Sequence, residues 1–127
     1  MSMDLKKYIA HAQECDKNYD SKNHIKIAFR FKPSPKKITG ISVEEKFYQK
    51  RIKIGRCKDS HIIIPDMLAT TLHGEIRKQR KWIYEDLGGL TGTQVNKNPI
   101  YGKIVPININ DVLRIGAYEI EVLDFSK

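Results

Sequence analysis

The sequence predicts an all-β fold, a two-sheet β-sandwich, and three observations carry that reading. His24 to Lys32 and Tyr118 to Val122 place an apolar side chain at every second residue, the period of a half-buried strand. Short runs of the same kind recur between turn signals along the chain. No helical periodicity interrupts them after residue 24, which disfavours a parallel α/β sheet.

The elements follow in order. Leu5, Tyr8, Ile9 and Ala12 fall at offsets of three, four and seven, which predicts a short amphipathic helix over 4–15. It belongs to an N-terminal extension, residues 1–23, ahead of a sandwich over residues 24–127. The first strand ends at Pro33-Ser34-Pro35-Lys36-Lys37, where prolines remove backbone donors, and Gly40 adds a further turn signal. Val43 to Tyr48 and Arg51 to Ile54 read as a strand pair or one irregular strand. Ile62 to Ile64 is a short buried strand ended by Pro65-Asp66. Leu72 to Lys78 and Trp82 to Asp86 flank the polar tip Lys78-Gln79-Arg80-Lys81 and predict a hairpin. Gln94-Val95, Ile104-Val105, Val112 to Ile115 and Tyr118 to Phe125 supply the remaining strands. In such a sandwich the loops at the two ends carry function, and the informative ones are 55–61, 65–73 and 88–96.

Composition narrows the function classes. The 127 residues hold 23 Lys+Arg against 15 Asp+Glu, a formal charge of +8. The excess is +5 over residues 1–50, +5 over 51–81 and −2 over 82–127. Such asymmetry marks attraction to something anionic. No run approaches the roughly 20 apolar residues that span a bilayer, and the N-terminus lacks the apolar core of a signal peptide, so a cytoplasmic protein is expected. Cys15 and Cys57 are too few for a disulfide scaffold. Cys57 and His61 stand four apart without further ligands, so neither a metal nor a cofactor is expected. No nucleophile, base and orienting group form a recognisable set, so no enzyme is expected. The basic stretches Lys50 to Lys53 and Arg77 to Lys81 lack interleaved aromatics, which makes nucleic acid an unlikely partner.

An ordered series then becomes specific: Ile54-Gly55-Arg56, Ile62-Ile63-Ile64-Pro65-Asp66, Thr70-Thr71-Leu72-His73-Gly74, Asp86-Leu87-Gly88, Gly92-Thr93 and Asp111-Val112-Leu113-Arg114-Ile115-Gly116. Over roughly residues 25–125 this resembles the forkhead-associated (FHA) domain, a β-sandwich family that binds phosphothreonine peptides. The resemblance implies that Arg56, whose planar guanidinium matches phosphate oxygens, is the main phosphate contact. It implies that the Thr70 hydroxyl donates to the phosphate, and that Gly55, His73 and Gly92 support the site, Gly55 by letting the backbone turn tightly where the strand enters the loop. Thr71 stands where the family commonly has arginine, and Thr91 where it has the asparagine that fixes the peptide backbone. Both are candidate hydroxyl donors, and Lys58 adds a point charge on the same loop as Arg56. Leu90 replaces a hydroxyl-bearing neighbour, and the loop 89–102 is expected to set peptide preference. Each lost neutral hydrogen bond is worth about 1 kcal/mol net, so two weaken binding roughly thirtyfold. The implied function is a non-catalytic module for phosphothreonine-containing proteins. The alternative is a degenerate domain that docks a partner without phosphate, as a scaffold or secretion-apparatus subunit.

Overall fold

The structure is a computed structural model and describes residues 4–33, 41–89 and 91–127. Its strands are β1 (Ile25–Phe31), β2 (Ser42–Phe47), β3 (Arg51–Gly55), β4 (Ile62–Ile63), β5 (Gly74–Lys78), β6 (Trp82–Asp86), β7 (Thr93–Val95), β8 (Asn98–Ile100), β9 (Ile104–Pro106), β10 (Val112–Ile115) and β11 (Tyr118–Phe125). They form two sheets, one ordered β2-β1-β11-β10-β7-β8 and the other β4-β3-β5-β6-β9. This is the two-sheet sandwich that the alternation predicts. Ile25, Ile27 and Phe29 from β1 and Ile120 and Val122 from β11 face Ile52, Ile54, Ile76 and Tyr84 from the second sheet in one core.

The hairpin at 78–81 forms as expected, with Lys78 opposite Trp82. Three expectations are corrected. β2 and β3 are neither a pair nor one strand: β2 joins β1 in the six-stranded sheet, β3 joins β4 and β5 in the other, and residues 48–50 cross between them. Residues 89–102 are not a continuous loop, because 93–100 form the β7–β8 hairpin, turned by Asn96 and Lys97 at φ of 51° and 73°. Two successive positive φ angles give the backbone twist that a two-residue hairpin requires. Pro99 is accommodated because β8 is an edge strand. The proposed loop at 33–40 lies, beyond Pro33, outside the described residues, as does Leu90.

The third correction concerns the N-terminus. The helix expected over 4–15 is realised only as a 3-10 turn, Leu5–Tyr8, whose start is capped by the Asp4 carboxylate accepting from the Lys6 amide at 3.1 Å. Beyond it the chain runs extended. Ile9 bridges to Ile62, and the Ala10 amide donates to the His61 carbonyl at 2.8 Å. A lone helix of a dozen residues is marginal in water, whereas the open edge of β4 offers unpaired backbone groups. The edge wins. Further on, the Asn18 carboxamide clasps Arg51, donating to its carbonyl at 3.0 Å and accepting from its amide at 2.9 Å. Leu5 is fully buried in the sandwich core.

Two outcomes follow. Leu5→Ala removes a fully packed side chain and is expected to destabilise the domain by about 2–5 kcal/mol in urea unfolding. His61 supplies the second. Its Nδ1 accepts from the Lys53 amide at 2.9 Å. Burial, and then the charge of Lys53, hold its pKa below the ordinary 6.5, with Asp16 opposing. The unfolded chain therefore binds this proton more tightly than the folded one. The stability contribution is complete above about pH 6.5 and declines as pH falls toward the depressed value. Urea melts from about pH 7.5 to about pH 5 should show a steeper loss in wild type than in His61→Gln.

Candidate functional site

Three loops converge at one end of the sandwich: 56–61 after β3, 64–73 between β4 and β5, and 87–92 between β6 and β7. The first two are joined by main chain. The Arg56 amide donates to the Thr70 carbonyl at 3.0 Å and the Cys57 amide to the Thr71 carbonyl at 3.2 Å. This explains Gly55 differently from a tight turn. A Cβ there would run into the Thr71 carbonyl group, with its carbon at 2.9 Å and the His73 amide at 3.1 Å. Gly55 is needed for close approach of two backbones.

His73 joins the second loop to the third. The Thr70 amide donates to its Nδ1 at 3.0 Å, so that nitrogen carries no proton. The proton sits on Nε2, which lies 2.7 Å from the Gly92 carbonyl and donates to it. The ring is completely buried, and Gly89 packs against both it and the Thr70 hydroxyl. Gly92 has φ of 66°, and a Cβ there would meet the Ile100 carbonyl at 2.6 Å, so it accepts only glycine without rearrangement.

The third loop has its own anchor. Asp86, 1% exposed, accepts from the Gly88 amide, the Gly102 amide and the Thr93 hydroxyl, each at 2.9 Å. Because the single Thr93 hydroxyl proton goes to that carboxylate, Tyr84 must donate its own across the 2.7 Å Tyr84–Thr93 contact. Burial holds the Tyr84 phenol well above its ordinary range, against the opposing Thr93 hydrogen bond. Asp66 does the corresponding work for the second loop, accepting from the Leu68 amide at 2.8 Å and the Ala117 amide at 2.9 Å. Neither aspartate stood out as a site residue in the sequence. The available signal was the Asx-turn pattern, in which an aspartate bonds the amide two residues on.

The predicted site residues are thus distributed unevenly. Arg56, Thr70 and Thr71 are exposed on adjoining loops, and the Arg56 guanidinium and Thr70 hydroxyl have no partner among the described residues. Lys58 is exposed two residues beyond Arg56, beside Asp59, and makes no bond to the others. Thr91 reaches the same rim, but its hydroxyl donates to the Leu68 carbonyl at 2.7 Å. That donor fastens the third loop to the second. Apolar side chains surround the rim, with Met67 90% exposed and Leu68, Leu72 and Leu87 also exposed. Among the described residues no cluster of three or more His, Cys, Asp or Glu side chains has a metal-binding arrangement.

The end loops of this β-sandwich are pinned from beneath, with their polar tips open. The family model of the FHA domain matches residues 52–116, just over half of the chain, and the chain belongs to that family. A structure solved for phosphothreonine-dependent FHA domain interactions is similar, with 24% identity, TM-score 0.60, and coverage of 80% of this chain and 99% of that one. The FhaA FHA domain complexed with the intracellular domain of Rv3910 is 26% identical, TM-score 0.60, covering 76% and 98%. The FHA domain of an Arabidopsis thaliana hypothetical protein is 25% identical, TM-score 0.65, covering 86% and 92%. No curated protein sequence matches the chain. No helix among the described residues is long and apolar enough to cross a membrane.

Thr93→Val keeps the shape of the side chain but leaves Asp86 short of one donor and Tyr84 without its acceptor. It is expected to cost about 1–3 kcal/mol in thermal or urea unfolding.

Proposed function

We propose that this FHA domain binds phosphothreonine-containing proteins through the rim formed by loops 56–61, 64–73 and 87–92, as a non-catalytic module needing no metal or cofactor, in the cytoplasm. The observation that carries this reading is the pairing of an exposed, unpartnered Arg56 guanidinium with an exposed Thr70 hydroxyl, on two loops held together at the Arg56 amide and Thr70 carbonyl. Arg56 takes the phosphate in charge-assisted hydrogen bonds, worth about 1.5–3 kcal/mol. Thr70 donates a third bond, Thr71 offers a neighbouring hydroxyl, and Lys58 contributes charge. Thr91 accepts from the ligand backbone through its oxygen lone pairs, since its proton is engaged. Gly55, His73 and Gly92 hold the loops in place. The similarity to a domain studied for phosphothreonine-dependent interactions supports the assignment.

A second reading rests on the Thr91–Leu68 bond and the apolar rim. With the donor of the asparagine position spent internally, the same loops dock a partner through Met67, Leu68, Leu72 and Leu87 without phosphate.

Fluorescence polarisation with a phosphothreonine peptide library and its unphosphorylated counterpart separates the two. Phosphate dependence is expected, with Arg56→Ala weakening capture about tenfold to a hundredfold. Equal binding of both libraries, undiminished in Arg56→Ala, would establish the phosphate-independent reading instead.

A further inference from the structure

The pole opposite Arg56 gathers charge that the phosphate site does not use. β3 and β5 pair antiparallel with Arg51 opposite Arg77, so the basic stretches 50–53 and 77–81, distant in sequence, adjoin in space. Arg77 is compensated by Glu85 at 2.8 Å and Glu75 at 3.3 Å. Lys50, Lys78, Arg80 and Lys81 form no ion pair among the described residues. Lys78 is notable because it is half-buried, with its ammonium held by neutral oxygens, Asn23 Oδ1 at 2.9 Å and the Ser126 carbonyl at 3.5 Å. A positive charge partly removed from water without a counter-charge is costly.

Two clefts flank it. One, of about 350 Å³, lies between residues 49–51 and 77–79. The other, of about 280 Å³, lies between residues 78–82 and the 107–108 and 125–127 segments. Lys78 and Trp82 line both. Among the described residues the only carboxylate side chain lining either is Asp20, which is bonded by Asn23 Nδ2 at 2.8 Å and the Lys22 amide at 3.0 Å and also feels the charge of Lys50. The wall of the larger cleft includes Gln49, 1% exposed, whose amide nitrogen and oxygen both lack partners among the described residues.

We infer that this pole is a second docking site, for an acidic, unphosphorylated peptide segment of a partner protein. Charge complementarity selects an anionic occupant. The choice of peptide over nucleic acid rests on two observations. Neither cleft presents an open aromatic face on which a base would stack, since Trp82 is 2% exposed and Phe125 is packed on it at 6.2 Å. The unpaired Gln49 carboxamide offers one donor and one acceptor side, as a peptide group does and a phosphodiester does not. Side-chain carboxylates of the segment meet Lys50, Lys78 and Lys81.

Fluorescence anisotropy with a fluorescein-labelled hexaglutamate peptide tests the site on the intact chain. Binding is expected, weakening as salt rises from about 50 to about 200 mM. Lys50→Glu/Lys81→Glu should reduce affinity about tenfold with an unchanged melting temperature, both residues being exposed. Lys78→Met should do likewise, and Arg56→Ala should leave it unaltered, which separates this site from the phosphate rim. Absence of binding, insensitivity to the double charge reversal, or loss in Arg56→Ala would overturn the inference. Tighter binding of a hexathymidine oligonucleotide would overturn it in favour of nucleic acid.

Discussion

The arrangement of the loops depends on one buried imidazole. His73 stands at the entry to β5 in the five-stranded sheet, and Gly92 precedes β7 in the six-stranded sheet, so the Nε2–Gly92 bond ties the two sheets at their loop end. The same ring takes the Thr70 amide at Nδ1, which fixes the turn that exposes the Thr70 side chain. A neutral imidazole supplies one donor and one acceptor, and this environment presents one acceptor and one donor. Replacing His73 leaves the Thr70 amide and the Gly92 carbonyl without this partner, so the geometry of two loops is set by a single side chain. Asp86 Oδ2, 3.9 Å from Nε2, completes the polar layer beneath the rim.

That layer makes the loops rigid from below. Asp86 gathers two amides and a hydroxyl, Asp66 binds the turn at 66–68 to Ala117, and Thr91 closes the gap between the second and third loops. None of these bonds requires a ligand. A surface already ordered loses less conformational entropy on association, so fewer direct contacts suffice for a given affinity. Thr91, where the family series commonly has asparagine, spends its hydroxyl proton on the Leu68 carbonyl and so is an internal fastener of the loops.

The strands were legible because burial on one face writes a period of two into the sequence, as in Ile25, Ile27 and Phe29 and again in Tyr118, Ile120 and Val122. What escaped was decided by partners remote in sequence. The apolar spacing of Leu5, Tyr8 and Ile9 suits a helix, but Leu5 fills the sandwich core and Ile9 lies along the edge of β4, a partner more than fifty residues away. The β7–β8 hairpin was missed because Asn96-Lys97 carries no glycine, although its backbone adopts the same left-handed turn. Gly55 was recognised as necessary for a reason that proved different, since its neighbour across the contact, Thr71, could not be known from spacing. Arg56 and Thr70 enter as candidates through the family series alone. Asp66 and Asp86 carry a local Asx-turn signal, but their bonds to Ala117, Gly102 and Thr93, like that of Tyr84 to Thr93, are tertiary and no local pattern announces them.

The distribution of charge shows why the net +8 is concentrated rather than diffuse. On the outer face of the six-stranded sheet, Arg30 bonds Glu119 at 3.0 Å and Glu121 at 2.7 Å, and Arg114 shares Glu119 at 3.3 Å. These pairs lie across neighbouring strands, where register places opposite charges side by side. Burial of Arg30 itself pushes its pKa down, and the hydrogen bonds and charges of Glu121 and Glu119 more than restore it, leaving it raised. The flat face is thereby close to neutral. Among the described residues, Arg56 and Lys58 at one end and Lys50, Lys78, Arg80 and Lys81 at the other form no ion pair. Cross-strand pairing has no counterpart at a turn, because a turn residue has no partner strand to supply a carboxylate. Part of the net charge that cross-strand pairs do not neutralise is thus left at the two poles, beside the loops and clefts described above.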